Sequence, residues 1–268
     1  MSRGSARRQE ERARMKASER REEIVRMALS NGLASVEELS RAFDVTASTI
    51  RRDLSALEKS NRLARTYGGV IAVGSHQREM SLHERSVDAY RAKDAIGRAA
   101  AAQVSSGDSI LLDAGTTTAR VAAHLLATTP LTVVTNGLTP FRELDGADGV
   151  ELSLLGGRYR ETSQSFVGPM AEASLERWYF DAVFLGADAV TAERGLCEAT
   201  ATQTRLKELM ARTSARVYVV AHAAKLGVSP FSAWVQLGVP WTLVTDADAS
   251  DDQLDPFRRR GVDVLVAD

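Results

Sequence analysis

The sequence predicts an α/β protein in two parts, a winged helix-turn-helix over residues 19–75 followed by a mainly parallel-sheet α/β domain over residues 76–268. Three observations predict it. Residues 35–69 read as two short helices around a tight turn and then a Gly-Gly hairpin. From about residue 76, short runs rich in Val and Leu alternate with helical stretches, as strands covered on both faces do. Charge is also uneven: residues 1–65 carry 15 Lys/Arg against 10 Asp/Glu in a chain whose net charge is −1, which places a footprint for phosphate at one end.

Met1–Ser18 is rich in Arg, Ser and Ala and lacks an apolar run. It reads either as a basic, disordered arm adding salt-sensitive affinity for DNA or as a solvated leader. Ile24, Met27 and Ala28 then share one face of a helix. Val36, Leu39 and Phe43 fall at helical spacing, Asp44 interrupts, and Val45 re-enters the core. Thr46 is a natural N-cap, and Ile50, Leu54 and Leu57 form the apolar stripe of the next helix. Ser48, Thr49, Arg51 and Arg52 must then face outward. Hydroxyls bond phosphates or bases and Arg forks onto guanine, so this face suits a duplex groove. A surface helical hairpin with a solvated charged face is the plain alternative; the helix before and the hairpin after favour DNA. Two β-prone runs flank Gly68-Gly69 as a wing, from which Arg65 and Tyr67 can touch backbone or minor groove. The expected partner is double-stranded DNA.

Composition narrows the remainder. With 268 residues and 44% apolar content, the chain holds one sizeable core and a smaller second domain. No run approaches the roughly 20 apolar residues of a membrane span, and the N-terminus has no signal-peptide core. A lone Cys197 forms no internal disulfide, and without a Cys/His cluster nothing argues for zinc. A cytoplasmic protein without membrane contact or cofactor is expected.

In the second part the predicted strands are Ser109–Asp113, Leu131–Thr135, Val150–Leu155, Asp181–Gly186, Arg216–Ala221, Trp241–Thr245 and Val262–Val266. Helices are predicted at Ala92–Ser105, Thr117–Leu126, Pro169–Trp178, Thr202–Thr213 and Asp252–Arg260. Such sheets bind ligands beyond the carboxyl ends of their strands. The residues just past them are Asp113-Ala114-Gly115-Thr116-Thr117-Thr118, Asn136-Gly137, Gly156-Gly157-Arg158, Gly186-Ala187-Asp188 and His222-Ala223-Ala224-Lys225. The Gly-Thr-Thr-Thr turn is the sharpest of these. Gly115 lets backbone approach a ligand, the helix start favours an anion, and three hydroxyls add donors. A capping role explains one threonine, not three. Singly, Asn136 closes an Asx-turn, Gly156-Gly157 ends a strand, and Asp188 and Lys225 are ordinary loop residues; their shared placement lifts them as a set. No G-x-G-x-x-G follows a strand, and no Gly-Lys-Ser/Thr of a Walker loop occurs.

These segments together resemble a known family. Thr49-Ile50-Arg51-Arg52-Asp53-Leu54 with Gly68-Gly69 is similar to the DNA-binding half of DeoR-family transcriptional regulators. The Asp-Ala-Gly-Thr-Thr-Thr, Thr-Asn, Leu-Gly-Gly-Arg and Leu-Gly-Ala-Asp segments are similar to their sensor half, in order from about residue 19 to the C-terminus. The resemblance implies a regulator, usually a repressor, of carbohydrate genes, with a sensor domain similar to ribose-5-phosphate isomerase that binds a phosphorylated sugar. It implies that Gly115, Thr116 and Thr117 hold phosphate while Asn136, Gly157, Asp188 and Lys225 surround the sugar. It further implies that effector weakens operator binding. There are departures: His222 stands where the family often has Asp, Ala224 where it has Ser, Gln203 where a Glu precedes the helical Lys207, and Ala189 where a Gly follows Ala-Asp. His222 either contacts ligand or replaces a structural carboxylate.

The rival class is a sugar-phosphate isomerase carrying a DNA-binding appendage. Isomerisation needs a placed base and a group that polarises the carbonyl. The resemblance would then require Asp-Gly-Ala-Asp where this chain has Leu185-Gly186-Ala187-Asp188, and Glu198 does not match the base position clearly. Binding without turnover is the better reading. A nucleic-acid packaging protein with the α/β domain as platform is the third. A homo-oligomer, at least a dimer, is expected because one small reading module seldom gives useful specificity.

Overall fold

The computed structural model describes residues 16–31, 35–59, 64–66, 69–71 and 79–268. Tyr67 and most of the basic arm lie outside the described residues. The chain divides into two compact units, one ending at Arg78 and the other beginning at Glu79.

In the first unit three helices, α1 (Ala17–Asn31), α2 (Val36–Phe43) and α3 (Ala47–Lys59), precede the short strands β1 (Ala64–Thr66) and β2 (Gly69–Ile71). Helix α2 starts in a capping box, with Ser35 Oγ accepting the Glu38 N–H and the Glu38 carboxylate accepting the Ser35 N–H. Asp44 ends it in the left-handed conformation (φ 49°), which makes the tight turn into α3. Thr46 then caps α3, its hydroxyl accepting the Thr49 N–H at 3.3 Å. Ile24, Leu39, Phe43, Ile50, Leu54 and Leu57 bury fully into one core, so one residue set closes all three helices. The strands pair antiparallel, Ala64 opposite Ile71, as the Gly-Gly hairpin predicts.

The second unit opens with α4 (Leu82–Val87) and α5 (Tyr90–Ala101). There follow β3 (Ser109–Leu112), α6 (Thr116–Leu125), β4 (Leu131–Thr135), α7 (Leu138–Leu144) and β5 (Val150–Leu154). A hairpin, β6 (Arg158–Arg160) with β7 (Ser165–Val167), leads to α8 (Pro169–Leu175) and β8 (Phe180–Leu185). The chain continues as β9 (Ala189–Thr191), β10 (Gly195–Glu198), α9 (Ala201–Arg212), β11 (Ser214–Val220) and β12 (Ala233–Val235). It finishes with β13 (Thr242–Asp246), α10 (Asp251–Arg259) and β14 (Asp263–Ala267).

Seven strands form one sheet in the order β14-β13-β11-β8-β3-β4-β5, and every neighbouring pair is parallel. All seven predicted strands are in it, each shifted by at most two residues at either end. Alternate residues serve opposite faces. Leu111, Val183 and Val219 join a core with Ala171, Leu206, Met210 and Phe257 of α8, α9 and α10. Ile110, Leu112, Phe184 and Val220 join another with Ile96, Val121 and Leu125 of α5 and α6. Burial on both faces explains the near-continuous Val/Leu runs. The sequence reading missed α4 and α7, both one to two turns long, and the antiparallel pieces β6–β7 and β12-β10-β9. At six and seven residues, these helices show too little of the 3.6-residue period to stand out. Among the described residues no helix is long and apolar enough to cross a membrane.

Candidate functional site

Strand order dictates where the cavity opens. After β3 the chain moves outward to β4 and β5, then returns to place β8 on the other side of β3 and continues to β11. The β3/β8 boundary is therefore the switch point at which consecutive crossovers diverge and leave a crevice. Asp113 and Gly186, the residues just past these two strands, meet there, with Asp113 Oδ2 accepting the Gly186 N–H at 3.0 Å.

A cavity at this point is lined by Asp113, Gly115, Thr116, Thr117, Thr118, Asn136, Asp188 and Lys225 of the predicted set, together with Arg85, Ser163, Ser165, Glu198, Gln203 and Lys207. Gly156, Gly157 and Arg158 are not in the lining. Their turn serves the β6–β7 hairpin instead: Gly157 has φ 148°, and a Cβ there would stand 2.9 Å from the Val167 carbonyl oxygen.

The lining residues divide into those that build the cavity and those left facing it. Asn136 is spent on structure, its Oδ1 accepting the Ala114 N–H at 2.9 Å and its Nδ2 donating to Phe166 O at 3.3 Å. Thr118 donates its hydroxyl to Gly115 O at 3.0 Å. Gly115 (φ 154°) is the N-cap of α6 and no side chain caps that helix. Its first-turn N–H groups, with the Thr116 and Thr117 hydroxyls, make no other hydrogen bond among the described residues, and such a helix start favours negative charge. Gly137 lets the β4–α7 turn close on this one, since a Cβ there would lie 2.5 Å from Ala114 Cα.

Electrostatics centre on Lys207, on the buried side of α9. Its ammonium lies 2.9 Å from Asp113 Oδ2, donates to Gly186 O at 2.7 Å, and contacts the Glu198 carboxylate directly. Burial alone would lower its pKa, but the two carboxylates outweigh that and raise it, so Lys207 stays charged. Burial pushes Glu198 up to about 8, while the Lys207 charge beside it pulls the other way. Gln203 Nε2 donates to Glu198 Oε2 at 3.0 Å. Lys225 donates to Ala187 O, and burial foremost lowers its pKa. Arg85 comes from α4, with Nη1 3.9 Å from Asp188 Oδ1 and Nη2 donating to Thr162 O at 2.9 Å. Arg85, Lys207 and Lys225 thus share the lining with Asp113, Asp188 and Glu198. His222 is outside this lining; it is buried, 3.8 Å from Asp88 Oδ2, with Nδ1 unpartnered.

In the first unit Ser48, Arg51 and Arg52 are exposed on α3, and Thr49 is half-exposed. Thr46 Oγ1 bonds the hydroxyls of Ser48 and Thr49 at 2.9 and 3.0 Å, so the three hydroxyls form one cluster at the helix start. Arg65 lies on β1. Asp53, on the same helix, is buried and takes Arg20 Nε at 2.7 Å and Arg21 Nε at 2.9 Å, locking α1 to α3.

Comparison with known proteins decides the family. The DeoR-like helix-turn-helix domain matches residues 20–76, and the DeoR C terminal sensor domain matches residues 88–247. The chain belongs to the DeoR family. It is a DNA-binding transcriptional regulator of that family, with both halves present in order. It is 34% identical over 93% of its length to a protein of Escherichia coli O157:H7 named for repression of the aga operon, 93% of which is covered. The HTH-type transcriptional regulator GlpR of Haloferax volcanii is 34% identical over 94% of this chain and 98% of its own. The HTH-type transcriptional repressor GlcR of Bacillus subtilis is 31% identical over 87% and 90%. Among solved structures, a ribose 5-phosphate isomerase A from Methanocaldococcus jannaschii matches 50% of this chain and 52% of its own, at 15% identity and a TM-score of 0.36.

In this DeoR-family regulator sequence reasoning missed Arg85, Ser163, Ser165, Glu198, Gln203 and Lys207 as lining residues. One signal was there to use. Gln203, Leu206, Lys207, Met210 and Ala211 share one buried stripe of α9, so a lysine stands where the pattern calls for an apolar residue. Arg85 gave no such signal, since a short polar segment before the first strand looks like connector.

Proposed function

We propose that this regulator represses genes of carbohydrate metabolism, binding its operator through α3 and leaving it when a phosphorylated sugar occupies the cavity. The uncapped α6 N-terminus at the strand-switch crevice, with Lys207 charged behind it, is the observation that carries the reading. The names of the relatives point to sugar operons and agree with it. Thr46, Ser48, Thr49, Arg51 and Arg52 make the DNA face, with Arg65 and Tyr67 from the wing. Gly115, Thr116 and Thr117 take the phosphate, and Asp188, Lys225 and Arg85 the sugar. Asp113, Asn136 and Thr118 hold these in place, with Gly156, Gly157 and Arg158 supporting through the hairpin. The site binds without turnover: Glu198, the carboxylate nearest to a base role, is tied to Lys207 and Gln203. Two copies on a two-fold operator would give the specificity one short reading helix lacks.

Fluorescence anisotropy on the duplex upstream of its own gene, against scrambled DNA, tests this with a panel of sugar phosphates. Specific binding that one phosphate weakens by about 5–150-fold, the usual range of allosteric coupling, is the expected result. Arg52→Ala should weaken operator binding by at least about tenfold, the lower end for one base-reading Arg. Unchanged affinity would remove α3 from the groove, and indifference to every phosphate would remove the sensor chemistry.

A further inference from the structure

The Arg85–Asp188 pair is incomplete. Its nearest atoms, Nη1 and Oδ1, stop at 3.9 Å, beyond hydrogen-bond length. Arg85 Nε and Asp188 Oδ2 are both buried without a hydrogen-bond partner. A guanidinium and a carboxylate facing each other in a cavity ordinarily close to a fork at about 2.8 Å. Here the arginine is held back from both ends. Thr162 O engages Nη2, and Lys93 grips the backbone behind it, its Nζ donating to Arg85 O at 2.5 Å and to Asp88 O at 2.6 Å. A buried donor and a buried acceptor left side by side require a partner that satisfies both.

We propose that Arg85 and Asp188 grip the sugar between them, the guanidinium donating to one of its oxygens and the carboxylate accepting from one of its hydroxyls, so that α4 senses whether the cavity is filled. This rests on the sugar-phosphate reading of the cavity. A sugar monophosphate held by its phosphate at residues 115–117 brings such oxygens to the pair; inorganic phosphate held there does not. The placement of α4 in the chain gives this contact its consequence. Glu79, the first residue of the second unit, pairs with Arg160, which donates to Ser163 Oγ at 3.0 Å. Ser163 in turn bonds Ser165 in the cavity wall at 2.7 Å. The segment 79–89 is thus tied to the cavity at two points and follows in sequence directly on the DNA-reading unit.

Hydrogen–deuterium exchange on the full chain, with a panel of pentose and hexose monophosphates and with inorganic phosphate, tests the proposal. In the wild type, the panel member that protects residues 113–120 should also protect residues 79–93, and inorganic phosphate should protect only the former. Arg85→Gln should bind that member at least about tenfold more weakly, the loss of a charge-assisted hydrogen bond, and at saturation should protect 113–120 without 79–93. Arg85→Lys, which keeps the charge without the fork, should fall between and serves if the glutamine variant does not fold. Protection of 113–120 alone in the wild type, or unaltered protection of 79–93 in the variants, would overturn the proposal and leave the cavity reading standing. No protection of 113–120 by any panel member would overturn both.

Discussion

Lys207 is the residue on which the cavity turns, because it alone stands between two buried acids. Replacing a buried ion by an apolar side chain is tolerated when its partners go too; removing one partner leaves a charge stranded in low dielectric. Lys207→Met keeps the helix and the volume but leaves Asp113 and Glu198 facing each other. It should destabilise the second unit by about 3–5 kcal/mol, the cost of breaking a buried pair. Urea unfolding followed by tryptophan fluorescence measures this cleanly, since Trp178, Trp234 and Trp241 all lie in that unit. A variant as stable as the wild type would mean that the two acids do not need the cation. The threonines show the same division of labour at finer grain: Thr118 closes the turn, which leaves the Thr116 and Thr117 hydroxyls without a hydrogen bond among the described residues.

At the scale of elements, Asp53 ties α1 to α3, the helix proposed to read DNA. Helix α3 buries Ile50, Leu54 and Leu57 on one side and must keep Arg51 and Arg52 on the other. Asp53 sits between these faces, buried, and Arg20 and Arg21 both reach it. Asp53→Ala should cost about 1.5–3 kcal/mol, the range for hydrogen bonds to a charged group, read as a lowered midpoint in the far-UV circular dichroism melt. It should also weaken operator binding although Asp53 itself faces inward; full stability and full affinity together would mean that the core alone fixes the helix. Asp113 and Asn136 are the counterparts in the second unit, fixing the loops at the strand ends.

At the scale of the whole molecule, two buried groups set opposing responses to acid. Burial, then the charges of Lys225 and Lys93, lower His222 to about 4, while Asp88 and Asp246 pull weakly the other way. A histidine ordinarily titrates near 6.5, so the stability it contributes by staying neutral is present above 6.5 and is lost as pH falls through 4. Glu198 is raised to about 8, so its contribution is present below the ordinary carboxylate range and is lost as pH rises through 8. Between roughly pH 4.5 and 6.5 the two slopes, each about 1.4 kcal/mol per pH unit at most, offset one another. His222→Asn removes one of them. Relative to wild type it should gain about 2 kcal/mol between pH 6.5 and pH 5 in urea unfolding. A constant difference between variant and wild type across that range would mean that His222 is not buried neutral.

Much of this protein is written locally. The Val/Leu runs specify seven strands, the central ones because they bury both faces, and the stripe Ile50/Leu54/Leu57 specifies which side of α3 turns outward. Strand-end residues such as Gly115 and Asp188 are legible because a parallel sheet always delivers its carboxyl ends to one edge. Other facts have no local signature. That β8 lies beside β3, so that Asp113 meets Gly186 and Lys207, is a choice of strand order, and the same strands in another order would separate them. That Asn136 and Thr118 build the cavity rather than face it follows from which carbonyls and amides come within 3.3 Å of them. That Arg85 reaches Asp188 depends on a six-residue helix too short to show its own period. Sequence determines which side chains are turned inward or outward along each element; only the tertiary structure decides which of the inward ones are satisfied, and those left unsatisfied are the ones with chemistry still to do.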